Sequence, residues 1–170
     1  SELMNQLTAE DLYSLEEYAK IRDEFRTRVM DHKKQRRVAI GDHAALYFED
    51  KLTMQYQVQE MLRIERIFEA DGIQEELDVY NPLIPDGTNW KATFMIEYSD
   101  VEERKQALAK LIGVEKALYI QVNDFDRVYP IANEDLDRET EEKTSSVHFV
   151  RFELSDQMIS AAKQGATITA

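Results

Sequence analysis

Cysteine is absent from this chain. That excludes disulfides, thiol nucleophiles and any iron–sulfur cluster or zinc ion held on cysteine. Glycine and proline are scarce, at five and three residues. With 43% hydrophobic and 32% charged residues, this is the composition of a packed globular protein and not of a disordered one. No run of about 18 apolar residues is present, so no transmembrane helix is expected. The opening SELMNQLTAEDL lacks the basic and apolar regions of a signal peptide, and a cytoplasmic location is expected. Positive charge is also in short supply: 21 Lys and Arg stand against 34 Asp and Glu, a formal charge of −13. That argues against nucleic acid and anionic membrane as partners, since both reward a basic footprint. The one basic cluster, His32-Lys33-Lys34-Gln35-Arg36-Arg37, falls where a long helix should end and is read as complementing its dipole.

At 170 residues, one domain over 1–170 is the default, large enough for a core without staples. Residues 14–36 read as a long amphipathic helix opened by a Ser14/Glu17 capping box. Residues 37–40 and 44–49 flank Gly41-Asp42, a two-residue hairpin signal. A helix over 53–68 and a short one over 73–80 follow, the latter stopped by Asn81-Pro82. Residues 90–98 alternate as a strand, and Ser99/Glu102 form a box opening a helix to Ile112, with Gly113 as its C-cap. Residues 117–122 and 127–131 read as a second hairpin. Asn133 is the expected cap of an acidic helix to Glu142, residues 146–154 form a strong strand, and 155–164 a helix stopped by Gly165. Hairpins between helices, without βαβ alternation, give an α+β class: a two-layer domain with a mostly antiparallel sheet and helices packed on it. The first helix and the 53–68 helix are the expected covers of one sheet face.

The informative stretch is residues 54–68, MQYQVQEMLRIERIF. At about 100° per residue, Met54, Val58, Met61, Leu62, Ile64, Ile67 and Phe68 cover more than half of a helix. Gln57 and Glu65 fall inside that arc and Glu60 near its edge, leaving Gln55, Gln59, Arg63 and Arg66 as the polar side. A carboxylate is rarely buried without a partner, so Glu65 is expected to meet one. On the first helix Arg22 points to the middle of the apolar side and Arg26 to its edge. Strand alternation sets His148 with Val150 and Phe152, and Arg151 with Phe149 and Glu153.

Three readings of this group compete. In one, a divalent metal is held by Glu49, Glu65, Glu97 and His148 through oxygen and imidazole. In another, Arg22, Arg26, Lys143, His148 and Arg151 hold a small anionic ligand while a glutamate acts as base. That would make the protein a metal- or acid/base-dependent enzyme. In the third, Gln57, Glu60 and Glu65 join the arginines in a network that orients helices, which needs no ligand and stands ahead of the others. A homodimeric adaptor is a further candidate, predicting an exposed apolar patch along the first helix. His32 and His43 are read as exposed helix-end and loop residues. No Gly-rich phosphate loop, nucleophile elbow or metalloprotease motif accompanies any of these groups.

The strings Tyr47-Phe48-Glu49-Asp50, MQYQVQEMLRIERIF over 54–68, Tyr80-Asn81-Pro82-Leu83-Ile84-Pro85, Trp90-Lys91-Ala92-Thr93 and KTSSVHFVRFEL over 143–154 occur in order. Together they make the chain resemble a bacterial family of uncharacterised proteins, domain of unknown function thirty-five-oh-one. The likeness spans nearly the whole chain. It implies proteins running a few residues beyond Ala170, and an accessory role in redox or peroxide metabolism beside rubrerythrin-like and iron–sulfur oxidoreductases. It supplies no activity and no catalytic residue.

Overall fold

A computed structural model of the protein describes residues 6–110, 117–132 and 147–170. The helices are α1 (Leu15–Lys34), α2 (Lys51–Glu65), α3 (Ala70–Tyr80), α4 (Val101–Lys110) and α5 (Asp156–Lys163). The strands are β1 (Arg37–Ala39), β2 (Ala44–Phe48), β3 (Asn89–Ile96), β4 (Gln121–Val122), β5 (Ile131–Ala132), β6 (Val147–Glu153) and β7 (Ile168–Thr169). Five strands form one antiparallel sheet in the order β1-β2-β3-β6-β5, and β4 pairs with β7. The class is α+β, as the hairpin pattern predicts. Contacts gather in two compact units: residues 1–36 with 49–87, and residues 37–48 with 88–170.

The first unit is helical. Ser14 caps α1, its hydroxyl accepting the Glu17 N–H while the Glu17 carboxylate accepts the Ser14 N–H. α2 begins two residues before its expected start because Asp50 and Thr53 make a second reciprocal box. It ends at Glu65, not Phe68, because Arg66 takes a left-handed φ of 54°. Three stripes of α2 have three neighbours, each recurring at helical spacing. Met54, Val58 and Leu62 pack with Leu77 of α3 and with Leu7 and Ile84. Leu52 and Tyr56 pack with Tyr18, Phe25 and Val29 of α1. Gln55 and Gln59 face the segment before α1. Neighbours on three sides thus cover much of the helix, including the part of its polar side that carries Gln55 and Gln59. Within this unit α1 packs on one side of α2 and α3 on another.

In the sheet unit Leu46, Ala92, Phe94, Ile96, Val150 and Phe152 form the core, joined by Leu118 and Ile120, with Leu108 of α4 packed against it. β6 alternates as expected, with His148, Val150 and Phe152 buried. Three local expectations change. The first hairpin loop is three residues, Gly41-Asp42-His43, since Ala39 pairs with Ala45 and the Ile40 N–H reaches the Ala44 carbonyl. Asp100, not Ser99, caps α4, accepting the Glu103 N–H at 3.0 Å. The second hairpin is reduced to one bridge, Ile120 with Val128. Its arms part: β4 goes to β7 and β5 to β6. Such long-range pairing leaves no local signature. The Gly113 cap, the helix from Asn133 and Ser146 lie outside the described residues.

Candidate functional site

Tyr18 and Arg22, four apart on α1, face Glu60, which continues the Leu52–Tyr56 stripe of α2. Glu60 Oε1 accepts from the Arg22 guanidinium at 2.7 Å. Its Oε2 accepts from Arg22 Nε at 2.9 Å and from the Tyr18 hydroxyl at 2.8 Å. This is a fork-to-fork pairing with a third donor added, the strong arrangement for a carboxylate. The Arg22 hydrogen bonds hold Glu60 below the usual carboxylate range against the opposing effect of burial, with Tyr18 and the nearby Arg63 charge assisting. Burial, then the Glu60 carboxylate, push the Tyr18 phenol up. Tyr18 is fully buried, so its one hydroxyl is satisfied within the helix pair.

Beside it Gln59 is 0% exposed. Its Oε1 accepts the Tyr13 N–H at 2.7 Å and its Nε2 donates to the Tyr13 carbonyl at 3.2 Å. One amide therefore pairs a backbone unit as a neighbouring strand would. Asn81 does the same for Leu7, at 2.8 and 3.0 Å. A third polar group lies where α1 ends and α2 begins. His32 Nε2 stands 2.6 Å from Asp50 Oδ2, and Arg36 is 3.6 Å from the same oxygen. Burial pushes the Asp50 carboxyl up, but the Thr53 N–H, His32 and Arg36 outweigh it and leave it lowered. His32 is therefore half-buried and engaged, not the exposed residue its position suggests.

The other expected residues are placed as follows. Glu65 is exposed at the last position of α2. The arc that would bury it includes Ile64 and Phe68, which are 65% and 73% exposed. Its negative charge, after burial, helps to raise the Glu76 carboxyl. Arg26 is exposed, and Gln57 is half-buried without a side-chain hydrogen bond among the described residues. Glu49 is buried and its carbonyl accepts from Arg36 at 3.4 Å. Lys143 lies outside the described residues.

In the sheet unit His148 is 0% exposed, opposite Phe94 in the register. Arg151 forms an ion pair with Glu153, which also accepts from Asn89 at 3.0 Å. Glu97 accepts from the Tyr47 hydroxyl at 3.0 Å, and Arg37 donates to that hydroxyl at 3.1 Å. His43 stacks on Tyr98, with centroids 4.0 Å apart. Among the described residues no three His, Asp or Glu side chains are grouped as metal ligands would be. Glu49, Glu65, Glu97 and His148 thus form no such centre there. An open groove of about 690 Å³ is lined by Thr8, Glu10, Gln74, Asp78 and Asn81 among others, and Asn81, a polar residue of the Asn-Pro-Leu-Ile-Pro loop, is the one sequence candidate that it contains.

The family described as "Protein of unknown function (DUF3501)" matches residues 6–170. The chain belongs to this family. A crystal structure described as a novel protein of unknown function from Burkholderia pseudomallei K96243 is similar to it at 53% identity and a TM-score of 0.90. That likeness covers 96% of this chain and 84% of the other. No match is found among curated proteins.

In this DUF3501 chain sequence reasoning missed Gln59, Asp50 and Tyr18 as polar centres. Asp50 had a legible signal, since Asp-x-x-Thr ahead of an apolar helix is a capping pattern. Gln55 and Gln59 had only their spacing of four, because a backbone partner leaves no mark on the sequence.

Proposed function

We propose that this protein is a cytoplasmic binding or accessory protein, and that Tyr18, Arg22 and Glu60 brace two helices and do not form a reacting centre. The observation that carries the reading is that both oxygens of Glu60 are already taken by partners on α1. A general base needs an oxygen free to meet a substrate proton and a pKa brought toward working pH. Glu60 is shifted the other way. Arg22 spends its fork on the same carboxylate, which removes it as an anion clamp. A cysteine-free chain needs no oxidising compartment.

Glu60→Gln tests the reading. Because the site is partly exposed, the loss should be about 1–2 kcal/mol, below the 3–5 kcal/mol of a fully buried pair. A thermal-shift series on untagged protein, with phosphate, sulfate, carboxylates and divalent metals, should show that loss and no rescue. Stoichiometric metal in the purified protein, or an anion-induced stabilisation abolished by Glu60→Gln, would overturn it.

A further inference from the structure

The groove of about 690 Å³ in the helical unit has the size of a small-molecule site. One wall is the segment 6–10 and the other is the end of α3. Asn81 fixes the two together by pairing both polar groups of the Leu7 backbone. The fold itself therefore sets the shape of the groove.

Charge decides what it can take. Glu10 comes from the first wall and Asp78 from the second, and the remaining polar lining is hydroxyl and carboxamide, from Thr8, Gln6, Gln74 and Asn81. No Lys, Arg or His lines it. Glu10 makes no ion pair or side-chain hydrogen bond among the described residues. Asp78 accepts from Gln74 Nε2 at 2.8 Å and has no ion pair among them. The charges next along each wall do not offset these two. Lys51 lies 3.8 Å from Asp11 and is matched by it, while Asp71, Glu75 and Glu76 add negative charge along α3.

The helix itself adds to the effect. A helix C-terminus is a negative pole that a cation in the last turn relieves. Among the described residues each of the other four α-helices has one: Lys33 and Lys34 in α1, Arg63 in α2, Lys110 in α4 and Lys163 in α5. α3 has none and carries Asp78 there instead. That end of α3, with Asn81 and Pro82 after it, is the part that lines the groove.

We propose that the groove binds an aliphatic polyamine. Its ammonium groups pair with Glu10 and Asp78, and the Gln74 oxygen, left over when the Gln74 nitrogen donates to Asp78, accepts a further N–H. The methylenes between them lie along Ala9 and Pro82, which are exposed in the lining. A hard metal ion is a poorer match, because it needs a close set of oxygens and no three carboxylate or imidazole groups are so placed among the described residues. The inference is independent of the reading of Glu60, since Tyr18, Arg22 and Glu60 do not line the groove.

An amide NMR titration of the untagged chain with spermidine, in about 0.15 M salt to screen long-range attraction, tests it. The shifts saturate and are largest at Thr8, Glu10, Gln74 and Asp78. Glu10→Gln and Asp78→Asn each weaken binding about threefold to fivefold, the loss of one exposed ion pair. Asp23→Asn removes the same charge from an exposed site on α1 outside the groove and changes binding less than about twofold. Magnesium chloride at equal charge concentration does not displace the amine. No saturation by about 10 mM spermidine overturns the proposal. So does an equal weakening by Asp23→Asn, displacement by magnesium, or a set of shifts centred away from the groove.

Discussion

The helical unit and the sheet unit each carry a tyrosine–arginine–glutamate group, and the two differ in what surrounds them. Tyr18, Arg22 and Glu60 lie between packed helices, where the tyrosine is fully buried and the carboxylate side chain is 16% exposed. Tyr47, Arg37 and Glu97 lie along β1, β2 and the end of β3, with Arg37 and Glu97 41% and 40% exposed. The geometry differs as well: Arg22 donates to both oxygens of Glu60 at 2.7 and 2.9 Å, whereas Arg37 approaches Glu97 only to 3.7 Å, beyond hydrogen-bond reach. In the first group the Tyr18 hydroxyl has exchanged water for a protein acceptor, while Arg22 keeps a 28% exposed side chain. In the second, solvent competes for every partner. Residue type therefore says little about what a polar group contributes; its geometry and its access to water decide.

Substitutions can break or sharpen that contrast. The largest effect should come from Gln59→Leu, which keeps the volume roughly constant and leaves the Tyr13 N–H and carbonyl without their amide partner. A loss of about 2–3 kcal/mol is expected, seen in calorimetry as a fall of roughly 5–10 °C in Tm. A loss below about 0.5 kcal/mol would place Gln59 with surface residues and remove the contrast.

Asp50→Asn is intermediate, because asparagine keeps the helix cap and removes only the charge. The wild-type carboxyl sits below its ordinary 3.8, with burial opposed and outweighed by the Thr53 N–H, His32 and Arg36. A folded-state value below the unfolded one stabilises the fold above the unfolded value, and that contribution is lost as pH falls through the folded one. The gap between wild type and variant, about 0.5–1 kcal/mol, should be present just above pH 4 and close as pH is lowered further. Urea melts at several pH values measure it, and a gap that widens below pH 4 contradicts the assignment. The smallest effect belongs to Glu97→Gln, expected within about 0.5 kcal/mol of wild type. A larger loss would put the two groups on the same footing.

Features that depend on neighbouring residues were legible in the sequence. The Ser14/Glu17 box, the alternation through His148, Val150 and Phe152, and the Gly165 stop at φ 92° all stand where the pattern puts them. Glu60 and Glu65 show where legibility ends. Periodicity ranked Glu65 above Glu60 because it extended α2 through Phe68. The true end depends on Arg66 adopting a left-handed backbone, which a non-glycine residue seldom does and its sequence does not announce. Once the helix stops at Glu65, Ile64 and Phe68 no longer measure burial and the ranking reverses. Periodicity puts Gln59 on the solvent side because its partner, the backbone of Tyr13, has no side-chain signature. The parting of β4 and β5 was hidden for a related reason: β4 finds its mate more than forty residues on, at Ile168 and Thr169.

The division of the chain has a consequence for its synthesis. The helical unit is interrupted after Arg36 and resumes at Glu49, while the hairpin between them supplies β1 and β2 to the sheet. As the polypeptide leaves the ribosome, α1 emerges well before α2, whose Glu60 takes up Arg22 and Tyr18. The β1–β2 pair in turn waits for residues 89–96 to give β2 its second neighbour. Neither unit is encoded by one uninterrupted stretch, so each is finished only after part of the other has been made. Cutting the gene at residue 48 would divide both units, so complementation by two fragments would have to restore them together, whereas cutting at 87 leaves the helical unit whole and parts β1 and β2 from the rest of the sheet.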